Sequence, residues 1–267
     1  KDKQSLQKEL FKEKRVSFIP TMGCLHRGHL SLIKKSVKYK RKILVSIFVN
    51  PKQFNKRDDY KSYPRNISSD IKKLNKANVD YLYIPSFKDV YEFKTKKKVF
   101  LDKFSKKLCG KNRKGHFKGV VEVVNRFLEI IKPRFIFLGL KDFQQLYLIK
   151  KHILIRKIKT KVIECKIIRE KNGVACSSRN FNLSNKQKII AADIYNYFSK
   201  LKKKLKKTDI FSQRNKLKKI LLNLGANKID YVVNYNIKDL KTSNKTNKNS
   251  KIFIAYYIKK VRLIDNI

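Results

Sequence analysis

The feature that most constrains the fold is an alternation of short β-type segments with helical segments over the first 168 residues. The run Ile43–Val49 (ILVSIFV) is continuously apolar apart from one serine, as expected of a strand buried on both faces of a parallel sheet. Four similar strands are predicted at residues 16–20, 80–85, 134–139 and 161–168. The intervening segments have helical periodicity at residues 29–40, 68–79 (capped by Ser68 or Ser69), 120–131 and 142–157. The pattern predicts an α/β fold with helices on both faces of a parallel sheet.

The pattern changes after about residue 168. A lysine-rich helix is predicted from Asn185 to about Lys207 and a second one over residues 215–224. Three strands follow at residues 229–237, 251–258 and 261–267, and a low-complexity loop, 238–251, that we expect to be mobile separates the first two. We therefore expect an N-terminal domain of residues 1–167 and a smaller α+β domain of residues 168–267.

The charge is extreme, because 68 lysines and arginines stand against 20 aspartates and glutamates, a formal net charge of +48. Such a chain attracts polyanions. However, only 13 of the basic residues are arginines, and the basic residues are spread along the whole chain. Diffuse, lysine-dominated charge is more typical of a biased composition than of a nucleic-acid footprint. We expect no specific nucleic-acid partner, although a polyanion-binding surface stays open as the alternative.

The four cysteines, Cys24, Cys109, Cys165 and Cys176, have no C-x-x-C spacing and predict neither a zinc site nor a disulfide framework. We interpret them as reduced thiols. No apolar run reaches membrane-spanning length, and the first residues lack the apolar core of a signal peptide. We therefore expect a cytoplasmic protein without a membrane partner.

The segment Pro20–Lys35 (PTMGCLHRGHLSLIKK) holds two of the four histidines and two of the eight glycines of the chain. His26 and His29 open a helix directly after the first strand, three residues apart, so both lie near its first turn. Helix N-termini attract phosphate, and two imidazoles there can donate hydrogen bonds to a phosphate chain. Phosphate binding is the favoured interpretation, and a metal-binding pair and a purely structural pair are the alternatives.

Other polar groups follow the strands. Asn50 and Gln53 leave the second strand, and Lys141, Asp142 and Gln145 leave the fourth. Neutral amides suit hydroxyl groups, whereas a lysine suits phosphate, although ordinary turn and solvated-pair interpretations are equally open for these residues. The segment Gly110–Gly119 (GKNRKGHFKG), with Arg113 and His116, is predicted to be a flexible basic loop. Ser177–Asn180 places an arginine in a turn.

Six blocks in this order resemble one family. They are PTMGCLHRGH, VSIFVNPKQF, YPRNISSD, GHFKGV, GLKDFQQL and SSRN, and together they span about Val16 to Leu183. The blocks resemble the pantoate–β-alanine ligases of the H-x-G-H nucleotidyltransferase superfamily. The resemblance implies a Rossmann-like catalytic domain, a smaller C-terminal lid domain, and a cytoplasmic homodimer. It also implies ATP-dependent ligation of (R)-pantoate and β-alanine to pantothenate through a pantoyl adenylate, with release of AMP and pyrophosphate and a requirement for Mg²⁺.

The resemblance also implies roles for individual residues. His29, His26, Lys141 and Arg179 would be catalytic, and Gln53, Gln145 and Asn50 would bind substrate. The residues that would bind ATP are Met22, Gly23, Cys24, Leu25, His26, Arg27, Gly28, His29, Gly139, Leu140, Lys141, Asp142, Ile168, Cys176, Ser177, Ser178 and Arg179. Asp70 would be a metal ligand.

The chain departs from the family pattern at Leu140, where a glutamate is usual, and at Ser69, where one of two acidic residues is missing. The first change affects the positioning of Lys141 and the second the metal site. Two alternative functions are a nucleotidyltransferase with another small acceptor and a non-catalytic polyanion-binding protein.

Overall fold

The computed structural model describes residues 3–13, 15–204, 213–243 and 249–267. It divides into two compact units, residues 1–168 and residues 169–267. The predicted end of the second unit's first helix near Lys207, and residues 244–248 of the predicted loop, lie outside the described residues.

The first unit is built on a five-stranded parallel sheet. Its strands are β1 (Ser17–Thr21), β2 (Ile43–Ile47), β3 (Tyr81–Tyr83), β4 (Phe135–Gly139) and β5 (Lys161–Cys165). Their order is β3-β2-β1-β4-β5, with every neighbouring pair parallel. All five residues of β2 are buried, as its continuous apolar sequence predicts. The predicted parallel α/β fold is confirmed.

The helices of the first unit account for most of the predicted segments. They are α1 (Lys3–Phe11), α2 (Arg27–Val37), α3 (Arg57–Lys61), α4 (Ile67–Lys76), α5 (Phe87–Tyr91), α6 (Cys109–Asn112), α7 (His116–Ile131) and α8 (Phe143–Ile155). The sequence did not predict α1, α3, α5 and α6, three of which have only four or five residues. The cap predicted at Ser68 or Ser69 is wrong, because the Asn66 side chain accepts from the Ser69 amide.

The predicted flexible loop at residues 110–119 is also wrong. Residues 109–112 form α6, and α7 begins at His116, four residues earlier than expected. His116 is buried, and the Arg113 side chain is only 12% exposed. The glycines suggested flexibility, but Gly119 serves close packing: a Cβ there would lie 2.2 Å from the Lys52 carbonyl oxygen.

The second unit contains α9 (Asn185–Lys204), α10 (Arg214–Asn223) and the antiparallel strands β6 (Lys228–Asn236), β7 (Ser250–Ile258) and β8 (Val261–Asn266). Its core contains side chains from α9, α10 and β7 that are at most 1% exposed. They include Phe198, Leu217, Leu221, Ile252 and Ile254. This arrangement confirms the predicted small α+β part of the fold.

Within the described ranges, no helix combines the length and apolar character needed to cross a membrane. All four cysteines are buried free thiols.

Candidate active site

The site lies where the strand order of the sheet reverses. The chain adds β2 and β3 on one side of β1 and then returns to add β4 and β5 on the other side. Ligands of open α/β sheets bind outside the carboxyl ends of the strands at such a point. Here the carboxyl end of β1 continues into residues 22–29, and that of β4 continues into residues 139–142. The two sequence blocks singled out for phosphate chemistry therefore leave neighbouring strands at the same edge.

Two side chains of α4 hold the turn after β1 by hydrogen bonds to its backbone. The carboxylate of Asp70 accepts hydrogen bonds from the backbone amides of Cys24 and Leu25, both at 2.7 Å, and Lys73 Nζ donates to the Leu25 carbonyl at 2.8 Å. Gly23 lies in the left-handed region at φ 78°, where a Cβ would also come within 3.1 Å of Asp70 Oδ2. These contacts fix the backbone directly before the helix start, which carries His26 and His29.

His26 and His29 form a capping box at the start of α2. His26 Nδ1 accepts from the Gly28 amide at 3.1 Å, and His29 Nδ1 accepts from the His26 amide at 3.4 Å. A backbone amide only donates, so both neutral rings carry their proton on Nε2. The rings stack with centroids 4.0 Å apart. Each imidazole therefore presents an Nε2–H donor that the cap does not use.

Both imidazoles are neutral at physiological pH. Burial, with smaller effects of Lys141 and Lys73, lowers the pKa of His26 to about 4. Burial, the neighbouring His26 and Lys141 lower the pKa of His29 well below its usual value. Two neutral donors beside a lysine suit the oxygen atoms of a phosphate chain better than a metal ion, because each Nδ1 lone pair accepts from a backbone amide and each Nε2 carries the proton.

Lys141 follows β4 in a short 3₁₀ segment, Leu140–Asp142. Its Nζ lies 3.3 Å from Asp142 Oδ1, and its side chain is 18% exposed. Its positive charge contributes to the low pKa of both imidazoles, which places its field at the histidine pair. Asp142 therefore supplies a carboxylate to Lys141.

The loop after β2 brings Gln53 towards Met22 at the end of β1: the Gln53 amide nitrogen contacts the Met22 sulfur. Asn50 is only 1% exposed. Its side chain donates to the Gly119 carbonyl and Gln53 Oε1 and accepts from the Lys52 amide and the Tyr91 hydroxyl. All of its hydrogen-bonding positions are used within the protein. These contacts give Asn50 a role in holding the loop, and its predicted role in substrate binding stays a prediction.

Gln144 and Gln145 are adjacent on α8 but differ in their surroundings. The buried Gln144 side chain donates to the Phe104 and Lys107 carbonyls and accepts from the Cys109 amide. Gln145 is partly exposed, and no hydrogen bond joins its side chain to another residue that the structure describes. Of the two, Gln145 is the one whose amide is left to offer a ligand, and its predicted role in substrate binding stays a prediction.

The metal assignment of Asp70 is not favoured by its surroundings. Asp70 is 1% exposed, and each carboxylate oxygen already accepts a short backbone hydrogen bond. The described residues contain no group of three or more His, Cys, Asp or Glu side chains that could hold a metal ion. A Mg²⁺ ion here would take most of its ligands from phosphate oxygens and water.

The remaining predicted ATP ligands fall into two sets. In the first unit, the Leu25 side chain is fully buried in the core, so only its backbone lies at the turn, whereas Arg27 is exposed. Ile168 ends this unit. The others, Cys176, Ser177, Ser178 and Arg179, lie in the second unit, where the Ser177 side chain accepts from the Arg179 amide at the start of a 3₁₀ segment. Their roles stay predictions.

Three residues support the site in ways that the sequence did not predict: Asp70 and His116 were named with other roles, and Lys73 was missed. Asp70 and Lys73 hold the turn after β1, and His116 contacts the carbonyl of Gln53 at 2.7 Å. A helical i, i+3 spacing of Asp70 and Lys73 was visible in the sequence. Their partners, however, lie 45 to 48 positions away and carry no sequence signal.

A comparison with protein families shows which family the chain belongs to. The family model described as "Pantoate-beta-alanine ligase" matches residues 1–267. The chain belongs to the pantoate-beta-alanine ligase family. A pantothenate synthetase of Flavobacterium psychrophilum is 40% identical over 259 residues, which cover 96% of this chain and 92% of that protein. One from Francisella tularensis subsp. novicida is 39% identical and covers 100% of this chain and 94% of its own length.

Solved structures of the ligase family have the same fold. A pantothenate synthetase from Thermus thermophilus superposes with a TM-score of 0.91 at 28% identity, covering 100% of this chain and 97% of that one. A pantoate-beta-alanine ligase from Francisella tularensis, complexed with beta-gamma ATP and beta-alanine, gives 0.84 at 37% identity, covering 100% and 95%. The family, fold class and enzyme class predicted from the six sequence blocks are thereby confirmed.

Proposed function

We propose that this enzyme joins (R)-pantoate to β-alanine at the expense of ATP, with His26, His29 and Lys141 acting on the phosphates. The observation that carries the proposal is the pair of neutral imidazoles, each with an Nε2–H donor, within the field of Lys141 at the switch point of the sheet. Family membership and the relatives named pantothenate synthetase support it.

In the first step, a carboxylate oxygen of pantoate attacks the α-phosphorus of ATP, and the bond from that phosphorus to the bridging oxygen breaks. Negative charge grows on the departing pyrophosphate. Donors that are already in place when this charge develops stabilise the transition state without reorganisation. His29 and His26 supply such donors, and Lys141 supplies a positive charge. The products of this step are pantoyl adenylate and pyrophosphate.

Pantoate is held by amides in this proposal. Gln53 and Gln145 offer neutral groups that hydrogen-bond hydroxyls and do not compete electrostatically for the reacting carboxylate. Asn50 acts indirectly by holding the loop that carries Gln53. Correct orientation of the carboxylate towards ATP lowers the entropic part of the barrier.

In the second step, the amine of β-alanine attacks the acyl carbon of the adenylate. The amide bond forms, the bond between the acyl carbon and the phosphate oxygen breaks, and AMP leaves, while the amine gives up a proton. The Francisella relative that was solved with beta-gamma ATP and beta-alanine supports the use of both ligands by this chain. A site that excludes water protects the labile adenylate from hydrolysis.

Mg²⁺ enters the proposal only as a companion of ATP. The ion would neutralise phosphate charge, and no protein cluster is available among the described residues to hold it independently. For Cys176 to Arg179, which lie in the second unit, the proposed role in ATP binding rests on the family resemblance alone. We also propose a cytoplasmic homodimer, and this last statement rests on the family resemblance alone.

The proposal is tested with purified protein, ATP and Mg²⁺. Pantoate alone should give about one equivalent of pyrophosphate per active site, and addition of β-alanine should give continuous release of AMP and pantothenate. Replacing pantoate with other hydroxy acids tests the alternative of a different acceptor. Turnover with another acid but not with pantoate would contradict the proposed substrate. Salt-sensitive, site-specific DNA binding without any turnover would instead support the polyanion-binding alternative.

A further inference from the structure

His116, the first residue of α7, uses both ring nitrogens inside the protein. Its Nε2 lies 3.0 Å from Arg113 Nη1, and its Nδ1 lies 2.7 Å from the backbone carbonyl oxygen of Gln53. A guanidinium remains protonated and only donates, so Nε2 must be the acceptor. A neutral ring then carries its proton on Nδ1 and donates it to the Gln53 carbonyl. Arg113 thus fixes the tautomer that His116 needs.

Two further contacts join the same helix to the same loop. The Asn50 side chain donates to the Gly119 carbonyl at 3.2 Å, one turn beyond His116. The bare Cα of Gly119 lets α7 approach the Lys52 carbonyl, where any Cβ would lie at 2.2 Å. The loop is therefore fixed at its first residue by Asn50 and at its last by His116, with direct backbone packing between them.

Arg113 extends this connection. Its Nη2 also lies 3.4 Å from the Gln53 carbonyl and 3.8 Å from Asp59 Oδ2 on α3, the helix that follows the loop. The guanidinium side chain is 12% exposed. The chain on both sides of Gln53 is therefore tied to the start of α7 through one buried imidazole and one largely buried guanidinium.

We propose that His116 is a positioning residue for pantoate, which sets where the Gln53 side chain presents its amide, and that Arg113 holds His116 in the required tautomer. The inference rests on the proposed role of Gln53. His116 acts on the backbone of Gln53 and does not touch substrate. A shift of about 1 Å in such a group lowers rates by as much as about 10²-fold.

The matched test compares His116→Asn with His116→Gln. The Asn side-chain nitrogen occupies the position of Nδ1 and retains the donor to Gln53, whereas the Gln amide reaches the position of Nε2, where its oxygen faces Arg113, and leaves no donor at Nδ1. We expect His116→Gln to raise the KM for pantoate by about 10-fold or more, with the KM for ATP changed by less than about 2-fold. His116→Asn should stay within about 3-fold of the parent enzyme in both constants. Equal effects of the two variants, or an equal rise in both KM values, would overturn the proposal.

A double-mutant cycle separates this inference from the proposed function. In a Gln53→Ala background, His116→Gln should change the pantoate KM by less than about 2-fold, because the group it positions is gone. If Gln53→Ala alone has no effect, the proposed role of Gln53 fails. If Gln53→Ala is damaging and His116→Gln is not, only the positioning role fails. Arg113→Lys provides a second variant should His116→Gln not fold. It keeps the charge but loses the planar fork, and it should also raise the pantoate KM selectively; an unchanged KM would contradict the role of Arg113.

Discussion

The turn after β1 and the loop after β2 leave neighbouring strands of one sheet, yet they are fixed by different chemistry. The turn is held by charges, because Asp70 and Lys73 of α4 bind its backbone amides and a carbonyl. The loop is held mainly by neutral groups, which are Asn50, His116 and the bare backbone of Gly119. In both regions, the residues that hold the chain do so by hydrogen bonds or packing within the protein.

This comparison separates two kinds of polar residue at the site. Asp70, Asn50, His116 and Gln144 are buried, and protein atoms occupy their polar groups. His26, His29 and Gln145 are partly exposed, and each has a donor that its protein contacts do not use. The first kind should govern stability and geometry, and the second should govern binding and chemistry. Gln53 lies between the two kinds, because it is buried and its amide contacts Asn50 and Met22 although it is proposed to bind pantoate.

The largest effect is expected from His29→Ala. Removing one preorganised donor at a developing charge costs about 10²- to 10³-fold in rate. Adenylate formation, measured as pantoate-dependent pyrophosphate release, should fall by this amount. The circular dichroism spectrum should stay that of the folded protein, while the lost cap contact should lower the free energy of unfolding by about 1 kcal/mol. Lys34→Ala, an exposed change on the same helix, is the control. Full activity in His29→Ala would remove this residue from the proposed mechanism.

Asp70→Asn should affect both stability and activity. An asparagine offers one acceptor where two backbone amides now bind a carboxylate, so one buried amide loses its partner. We expect a loss of about 1–3 kcal/mol in the free energy of unfolding, measured by urea denaturation. Activity should also fall, because the turn carries both histidines. The exposed Asp58→Asn is the control, and equal stability of the two variants would show that Asp70 does not hold the turn.

The adjacent glutamines test the distinction within one helix. Gln144→Ala should lower the free energy of unfolding by about 1–3 kcal/mol and leave the pantoate KM nearly unchanged. Gln145→Ala should do the reverse, raising the pantoate KM by about 10-fold with little change in stability. Each variant is the control for the other. The same pattern of effects in both would contradict the division into holding and acting residues.

The effect expected to be smallest at neutral pH, where it vanishes, is the titration of His26. The pKa of His26 is about 4 in the folded chain against 6.5 for an ordinary histidine, so the unfolded chain takes up this proton first. The free energy of unfolding should therefore fall as the pH drops from about 6.5 to about 4, with no contribution above that range. His26→Asn keeps the helix cap but cannot titrate, and it should reduce the slope. The part due to His29 and His152, whose pKa values are also lowered, should remain. An unchanged slope in this variant would mean that His26 titrates normally.

The sequence allowed the sheet and most long helices to be predicted, because buried β-type runs and helical periodicity are local signals. The strand Ile43–Ile47 began at the expected residue. The start of α7 was missed, because Gly119 suggested a loop although its missing side chain serves packing against Lys52. The sequence identified the motif residues His26 and His29, but it did not show that Asp70 and Lys73 hold the turn before them.

The supporting contacts have no local signal. Asp70 reaches Cys24 across 46 positions and His116 reaches Gln53 across 63. Asn50 looked like a ligand because an amide at a strand end can bind either substrate or backbone. Only its partners, Gly119 and Tyr91, show that the amide is already used.

The most direct test of the central claim follows an oxygen atom. Pantoate labelled with ¹⁸O in its carboxylate is converted with ATP and β-alanine, and the products are analysed by mass spectrometry. If pantoate attacks the α-phosphorus, one labelled oxygen must leave with AMP, and pyrophosphate must stay unlabelled. Label in pyrophosphate or phosphate, or AMP without label, would contradict the adenylate mechanism and the roles given to His26, His29 and Lys141.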